Sequence, residues 1–258
     1  MIPQKQRSTQ ADWVGAVRDA YQHPDVPRAR RLVEAAVAWL RQATEGYHVA
    51  YGWSGGKDSQ GLRIVCEAAG ITECVLVISE LEYPAFLTWA TDHMPWGCTV
   101  EARPLDLAWL ARNPDMLFPA DAKTAARWFR LVQHTGQRAY ARQAGIDALV
   151  LGRRTADGNH TGGGRYRDRA GFDRISPIAG WSHEDLLCVL GAHRAPLPPC
   201  YGWPRGFRVG TGAWPARQWT RDRAHGWREV ASIDAGVAEL AATAGIPGAA
   251  EALRCAAS

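Results

Sequence analysis

The sequence predicts a doubly wound α/β fold built on a parallel sheet. Three observations carry this. The run Cys74-Val75-Leu76-Val77-Ile78-Ser79 is almost continuously apolar and rich in β-branched residues, as suits a central parallel strand. Similar runs at 47–53 and 147–152 alternate with stretches whose apolar residues recur at helical spacing, the pattern of a sheet covered on both faces. Between the first strand and the first of these helices lies the glycine-rich turn Ser54-Gly55-Gly56-Lys57-Asp58-Ser59.

Residues 1–45 read as a helical lead-in. Over 9–21, Thr9 can cap a helix, Asp12 sits in its first turn, and Trp13, Val17 and Ala20 share a face. His23-Pro24-Asp25-Val26-Pro27 breaks it. The stretch 28–44 is amphipathic, with Leu32, Ala36, Trp39 and Leu40 on its apolar side. Residues 46–200 form the expected α/β domain. Beyond the 47–53 strand, the turn and the 60–69 helix come the 74–79 strand, a helix over 84–94 and a strand over 98–103. Asp106 caps a short helix over 107–112, and 121–144 is helical with a weak point at Gly136. The 147–152 strand follows. Gly-rich, charged and aperiodic, 157–173 reads as a mobile loop. Residues 174–178 suit a short strand, and Ser182 with Asp185 forms a capping box for a helix that Pro196, Pro198 and Pro199 end. The last stretch, 201–258, is an appendage: aromatics and arginines to 228, then Ala-rich helix over 233–257 with a break at 245–247.

The turn at 54–59 is where chemistry is expected. Strand, tight turn and helix start aim backbone N–H groups and a positive helix end at one point, which suits phosphate. Ser54 and Ser59 add hydroxyls and Lys57 a charge. The spacing excludes two other phosphate loops. Gly52 is one residue too close to Gly56 for a Walker loop, and Asp58 stands where that loop has Ser or Thr. The Gly-x-Gly-x-x-Gly dinucleotide spacing is absent. Ligands of such sheets bind at the carboxyl ends of strands, so the segments at 54–59, 79–83 and 152–155 should converge.

Composition narrows the class. No run approaches the roughly 18 apolar residues of a membrane helix, and the N-terminus leads into no apolar signal core. The expectation is a soluble cytoplasmic protein without membrane partners. The 6 cysteines are scattered without a Cys-x-x-Cys pair, which argues against zinc ribbons, iron–sulfur sites and secreted disulfide scaffolds. A net charge of +4 is mild. Only Lys5, Lys57 and Lys123 are lysines, so a lysine inside the turn stands out among arginines.

At all of its positions, Ser54-Gly55-Gly56-Lys57-Asp58-Ser59 resembles the pyrophosphate-binding loop of the PP-loop ATP pyrophosphatases, or adenine nucleotide alpha hydrolase-like proteins. Two further segments narrow the resemblance. Leu151-Gly152-Arg153-Arg154 looks like the Gly-x-Arg-Arg segment of the phosphoadenosine phosphosulfate (PAPS) reductase-like family. Ile175 to Asp185, with Pro177, Trp181 and Ser182, and then His193 to Tyr201 are similar to that family's Pro-Ile…Trp-Ser-x-x-Asp and His-x-x-Pro…Tyr segments. Order and spacing agree over 47–201. The departures matter equally. The family's Glu-Cys-Gly-x-His tail is missing; Cys255 sits instead on an Ala-rich stretch with no His nearby. The segment Gly206 to Pro215 keeps the outline of Gly-x-x-Arg-x-Gly-Cys-x-x-Cys-Pro without either cysteine.

The resemblance implies an enzyme that binds ATP, or a related adenine nucleotide, and cleaves at the α-phosphate. An acceptor would be activated and pyrophosphate released, in modification of a nucleic acid or metabolite or in sulfur transfer. It implies that Ser54, Gly55, Gly56, Lys57, Asp58 and Ser59 cradle the phosphates, that Gly152 lies across from them, and that Arg153 and Arg154 clamp phosphate oxygens. Val77 and Ser79 would present backbone groups to adenine. Asp58, badly placed beside phosphate unless a cation intervenes, would help hold Mg²⁺. Two alternatives remain: sulfonucleotide reductase or transferase chemistry with a thiol from Cys255 or a partner, and a non-catalytic nucleotide-binding module of a complex.

Other residues have two readings each. Glu80 and Glu82 are either exposed charges before a helix or ligands for a metal or acceptor. Lys123, Arg127 and Arg130 form a solvated face or a basic face towards the cleft. In 201–228, Trp203, Phe207, Trp214, Trp219 and Trp227 interleave with Arg205, Arg208, Arg217, Arg221, Arg223 and Arg228. That makes the segment either a candidate nucleic-acid contact or a second small core with arginines on its surface.

Overall fold

The computed structural model describes residues 8–168, 171–217 and 222–256; Trp219 and Arg221 lie outside these, as does the side chain of Cys255. The expected strands assemble into one sheet. It contains β1 (Val49–Gly52), β2 (Cys74–Ser79), β3 (Thr99–Arg103), β4 (Ala148–Val150), β5 (Arg165–Arg167) and β6 (Asp173–Ile175), in the order β3-β2-β1-β4-β6-β5. All neighbours are parallel except β5 and β6. The chain winds outward from β1 to β3, then returns across the sheet to β4. That reversal leaves a crevice at the carboxyl ends of β1 and β4, the usual ligand position in such sheets.

Helices cover both faces. The lead-in gives α1 (Gln10–Gln22) and α2 (Val26–Ala43); α3 (Lys57–Ala69) follows β1 and α4 (Pro84–His93) follows β2. Between β3 and β4 run α5 (Leu107–Arg112), α6 (Ala122–Phe129) and α7 (Thr135–Ala144). The expected weak point at Gly136 is instead a π-helical turn over Arg130–His134 joining α6 to α7. Gly136 itself is a packing device. A Cβ there would lie 2.4 Å from Val77 Cγ1, so glycine lets α7 sit down on β2. After β6 comes α8 (His183–Ala192), which packs on α1, α2 and α3. The tail holds α9 (Gly206–Val209), α10 (Trp214–Arg217), α11 (Arg223–Ile233), α12 (Ala235–Thr243) and α13 (Ala249–Ala256). Among the described residues no helix is long and apolar enough to cross a membrane.

Two expectations are corrected. The described residues of 157–173, expected as a mobile loop, contain regular structure. They fold into the β5–β6 hairpin, because Arg165 pairs with Asp173 and Arg174 with Asp168, giving the aperiodic charges partners on adjacent strands; Arg169 and Ala170 lie outside the described residues. The described aromatics of 201–228 face inward. Phe207, Trp214 and Trp227 are buried, Trp214 and Trp227 pack on Phe118, and buried Arg217 donates to the Gly210 and Pro204 carbonyls. These side chains form a second small core rather than a stacking surface for nucleic acid.

Close approach also governs the α1–α8 contact. A Cβ at Gly191 would lie 2.1 Å from the Ala20 carbonyl oxygen, whereas one at Gly15, inside α1, would meet nothing within 4 Å. Gly191→Ala is expected to destabilise the protein by about 1–3 kcal/mol. Gly15→Ala should stabilise it by roughly 0.5–1 kcal/mol through helix propensity. Urea midpoints at constant m-value report both.

Candidate functional site

The six-residue turn closes β1 and opens α3. Gly55 has φ +71°, a left-handed conformation that costs glycine nothing, and a Cβ there would strike Trp89 at 2.6 Å. Gly56 is the N-cap of α3. The Ser59 hydroxyl accepts from Ser54 N–H at 3.1 Å and donates to the Gly56 carbonyl at 2.9 Å, folding the turn back on itself. Among the described residues, the N–H groups of Gly55, Gly56, Asp58 and Ser59 have no acceptor in the protein. They surround the positive end of a 13-residue helix. Lys57 N–H differs: it donates to Tyr201 Oη at 2.7 Å.

Side-chain charge is arranged around Arg154. This guanidinium is 0% exposed. Its Nε donates to Asp58 Oδ1 at 2.8 Å, and Nη1 to the Trp181 and Ser182 carbonyls at 3.2 and 2.9 Å. Nη2 lies 2.7 Å from Asp157 Oδ2 and 3.1 Å from His183 Nδ1. The Lys57 ammonium joins the same network, 2.9 and 2.8 Å from the Asp58 oxygens and 3.6 Å from Asp157 Oδ1. Two cations and two carboxylates therefore balance in a largely buried cluster. Burial alone would push the Asp58 carboxyl up, but the Lys57 and Arg154 charges outweigh it and hold the group at about 2. Burial, reinforced by Arg154 and Lys57, holds His183 down at about 4, so it accepts from Arg154 as a neutral ring.

Every nitrogen of the Arg154 guanidinium is thus partnered within the protein, where the expected role is a clamp on phosphate. Both Asp58 oxygens face the Lys57 and Arg154 cations, and among the described residues no group of three His, Cys, Asp or Glu is placed to hold a metal ion. Arg153 takes a separate course. It is half-buried on the other side of the β4 end, donating from Nη1 to Tyr166 Oη at 2.6 Å. Gly152, just before it, lies against the loop. A Cβ there would be 2.7 Å from the Asp58 carbonyl oxygen, so only glycine lets β4 and the turn approach so closely.

The free edge of β2 lies beside the turn. Tyr51 and Trp53 N–H donate to the Glu73 and Val75 carbonyls, so odd-numbered residues of β2 turn their backbone towards β1. β1 ends at Gly52, and Val77 and Ser79 lie past it. Their edge is partly covered: the Val77 carbonyl accepts from Gln133 Nε2 at 3.2 Å, and Ser79 N–H donates to Glu82 Oε1 at 3.4 Å. Glu82 is 6% exposed, against the reading of an exposed charge, and its Oε2 has no hydrogen-bond partner. Burial pushes its carboxyl up to about 7. Glu80, by contrast, is exposed.

Sequence reasoning missed Asp157, His183, Thr211 and the role of Tyr201. Asp157 sits three residues beyond Arg154, an ion-pair spacing that was readable. Tyr201 and Thr211 reach the turn from the tail: a Cβ on Gly56 would lie 3.3 Å from Tyr201 Oη and 3.5 Å from Thr211 Oγ1. No local pattern reveals that contact.

Comparison with solved structures shows the expected fold. The phosphoadenylyl-sulfate (PAPS) reductase of Candida auris, crystallised as a phosphate complex, matches 72% of this chain over 94% of its own at 12% identity, with a TM-score of 0.51. The U34-tRNA thiolase of Methanococcus maripaludis, with its [4Fe-4S] cluster, matches 88% of this chain and 80% of its own at 13% identity and a TM-score of 0.45. The NMN synthetase of Francisella tularensis matches 80% of this chain and 86% of its own at 13% identity and a TM-score of 0.42. No family model matches the sequence, and no curated protein matches it.

The two arginines should separate experimentally. Arg154→Ala removes one of the two cations that neutralise Asp58 and Asp157 in the buried cluster and is expected to cost about 3–5 kcal/mol. Arg153→Ala should cost no more than about 1 kcal/mol. Chemical denaturation of both variants checks this.

Glu82 gives a pH signature. Its folded value, about 7, lies above the ordinary 4.5. Below 4.5 both folded and unfolded states hold the proton and the group is neutral for stability. Between 4.5 and 7 only the folded state holds it, so stability falls as pH rises, and above 7 the loss is complete. Glu82→Gln should therefore be more stable than the natural chain at pH 8 by roughly 3 kcal/mol. The difference should shrink towards zero at acid pH, as thermal unfolding at several pH values would record.

Proposed function

We propose that the protein binds ATP at 54–59 and cleaves it between the α- and β-phosphates, transferring the adenylyl group to an acceptor and releasing pyrophosphate. The observation that carries this reading is the set of N–H groups at Gly55, Gly56, Asp58 and Ser59, which lack protein acceptors and lie at the carboxyl end of a central parallel strand. Anionic oxygen is the ligand such a set takes up most readily.

In the reaction, an acceptor oxygen forms a bond to the α-phosphorus as the bond to the bridging oxygen breaks. The acceptor gives up its proton, and the electron pair leaves with pyrophosphate. This chain's part would be to hold the leaving group and spread its charge. The N–H groups do so without rearranging. Lys57 would contribute by shifting from the Asp58 and Asp157 carboxylates to a phosphate oxygen. The ammonium is already at the turn, so the exchange needs rotation of one side chain rather than movement of the backbone. Adenine would lie along the β2 edge at Val77 and Ser79, where Gln133 and Glu82 now make their contacts.

Thiol chemistry finds less support. Cys66, Cys74, Cys188 and Cys200 are buried. Cys200, beside Tyr201, is pushed up to about 12 by burial, so it stays a thiol.

Product analysis with ATP tests the reading. Pyrophosphate with AMP or an adenylylated acceptor is expected; ADP with phosphate would rule out α–β cleavage. Lys57→Ala should lower pyrophosphate release by about tenfold or more, and an unchanged rate would remove Lys57 from the mechanism.

A further inference from the structure

Arg153 carries a charge that its surroundings do not balance. Several arginines of the neighbouring elements have carboxylates in reach: Arg127 pairs with Asp115, Arg138 and Arg174 with Asp168, and Arg165 and Arg167 with Asp173. Among the described residues Arg153 has none. Its hydrogen bonds go to neutral groups, Tyr166 Oη at 2.6 Å and His134 Nε2 at 3.5 Å. Burial, with Arg153, Arg174 and Arg138 close by, holds His134 at about 4, so it does not ionise near neutral pH. A guanidinium in this position attracts an anion from solution.

It is also held between two rings. The guanidinium carbon lies 5.7 Å from the centre of Phe129 and 5.9 Å from that of Tyr166. Phe129 is 44% exposed, an aromatic face left in water at the end of α6. The π-helical turn that follows it brings His134 to Arg153, and such turns are frequent at functional sites. Arg130, at the start of that turn, is exposed and has no carboxylate within ion-pair distance among the described residues. This cationic, aromatic surface begins one residue beyond Gly152, which touches the backbone of Asp58.

We propose that Arg153, Phe129 and Tyr166 form the acceptor subsite, and that the acceptor is a nucleotide: a flat base for the exposed ring and a phosphate for the guanidinium. Stacking on an aromatic face with phosphate neutralisation by arginine is a general way to hold a nucleotide, free or within a single strand. Its designation as an acceptor subsite rests on the reading of 54–59 as the ATP loop, because proximity to that loop turns a nucleotide-binding surface into an acceptor-binding one. It also places nucleotide contact on the α6–β5 side of the sheet and not on 201–228, where Tyr201, Phe207, Trp214 and Trp227 are buried and Trp203 is partly so.

The test is binding, measured on the full chain. A fluorescein-labelled single-stranded oligonucleotide is titrated at low salt, with UMP as a competing free nucleotide and ATP affinity measured separately. Arg153→Met and Phe129→Ser should each weaken binding of the strand by roughly five- to a hundredfold, while ATP affinity and melting temperature hold in Phe129→Ser. Phe129→Trp should restore binding. Displacement by UMP at matching nucleotide concentration identifies a free nucleotide as the ligand; no displacement identifies the strand. A natural chain that binds ATP but neither strand nor UMP overturns the proposal, as do variants that bind the strand as well as the natural chain. Failure to bind ATP refutes the loop reading instead, and a strand signal lost in Arg153→Met would then still support the nucleotide surface.

Discussion

The fold of this site depends on how one buried guanidinium is satisfied. Removing Arg154 from water is costly, and only a near-complete set of partners makes it tolerable. Those partners come from four places: Asp58 at the start of α3, Asp157 just beyond β4, His183 at the start of α8, and the carbonyls of Trp181 and Ser182 before it. Each must be in place for the others to be. The turn, the end of β4 and the start of α8 are thus fixed relative to one another by a single side chain.

The electrostatics of the turn follow from that arrangement. Both cations closest to it are neutralised, Lys57 by Asp58 and Asp157 and Arg154 by the same pair. What attracts an anion is then mainly the unpaired backbone at Gly55, Gly56, Asp58 and Ser59. Backbone dipoles are fixed in direction and need no reorganisation, which would suit the proposed stabilisation of charge developing on a leaving group. A mobile lysine is complementary: it can follow that charge, provided the carboxylates that hold it let go.

Much of this was legible in the sequence. The 54–59 turn could be assigned from spacing, because its backbone conformation depends on glycines at fixed places. The strands β1, β2 and β4 announced themselves as continuous apolar runs because they are buried on both faces. The hairpin of β5 and β6 did not, since its short strands are held by ion pairs between arginines and aspartates that have no period. Arg153 and Arg154 were indistinguishable as residue types. Their neighbours separate them: one turns to Asp58 and α8, the other to Tyr166 and His134. Glu82 looked like any charge before a helix. Its burial follows from the tail folding over the end of β2, where Trp214 N–H donates to the Leu81 carbonyl and Trp203 packs on Tyr83. Contacts of that range leave no local mark.

They also bear on what belongs to the site. The lead-in and the appendage read as additions to a nucleotide-binding domain, yet both converge on the turn. Tyr201 accepts from Lys57 N–H, stacks on Phe207, and has its carbonyl hydrogen-bonded by Gln10 of α1. Phe207 in turn stacks on Trp13, and Trp13 meets His183 edge-on. A continuous path of packed rings therefore leads from α1, through the tail, to the backbone of Lys57 and the network around Arg154. A phosphate entering the turn would meet the phenol of Tyr201 already bonded there, held in place by residues from both ends of the chain. The geometry of the turn is in this sense a property of the whole molecule: the six residues supply the N–H groups, and segments as far as 144 residues away decide how rigidly they are presented.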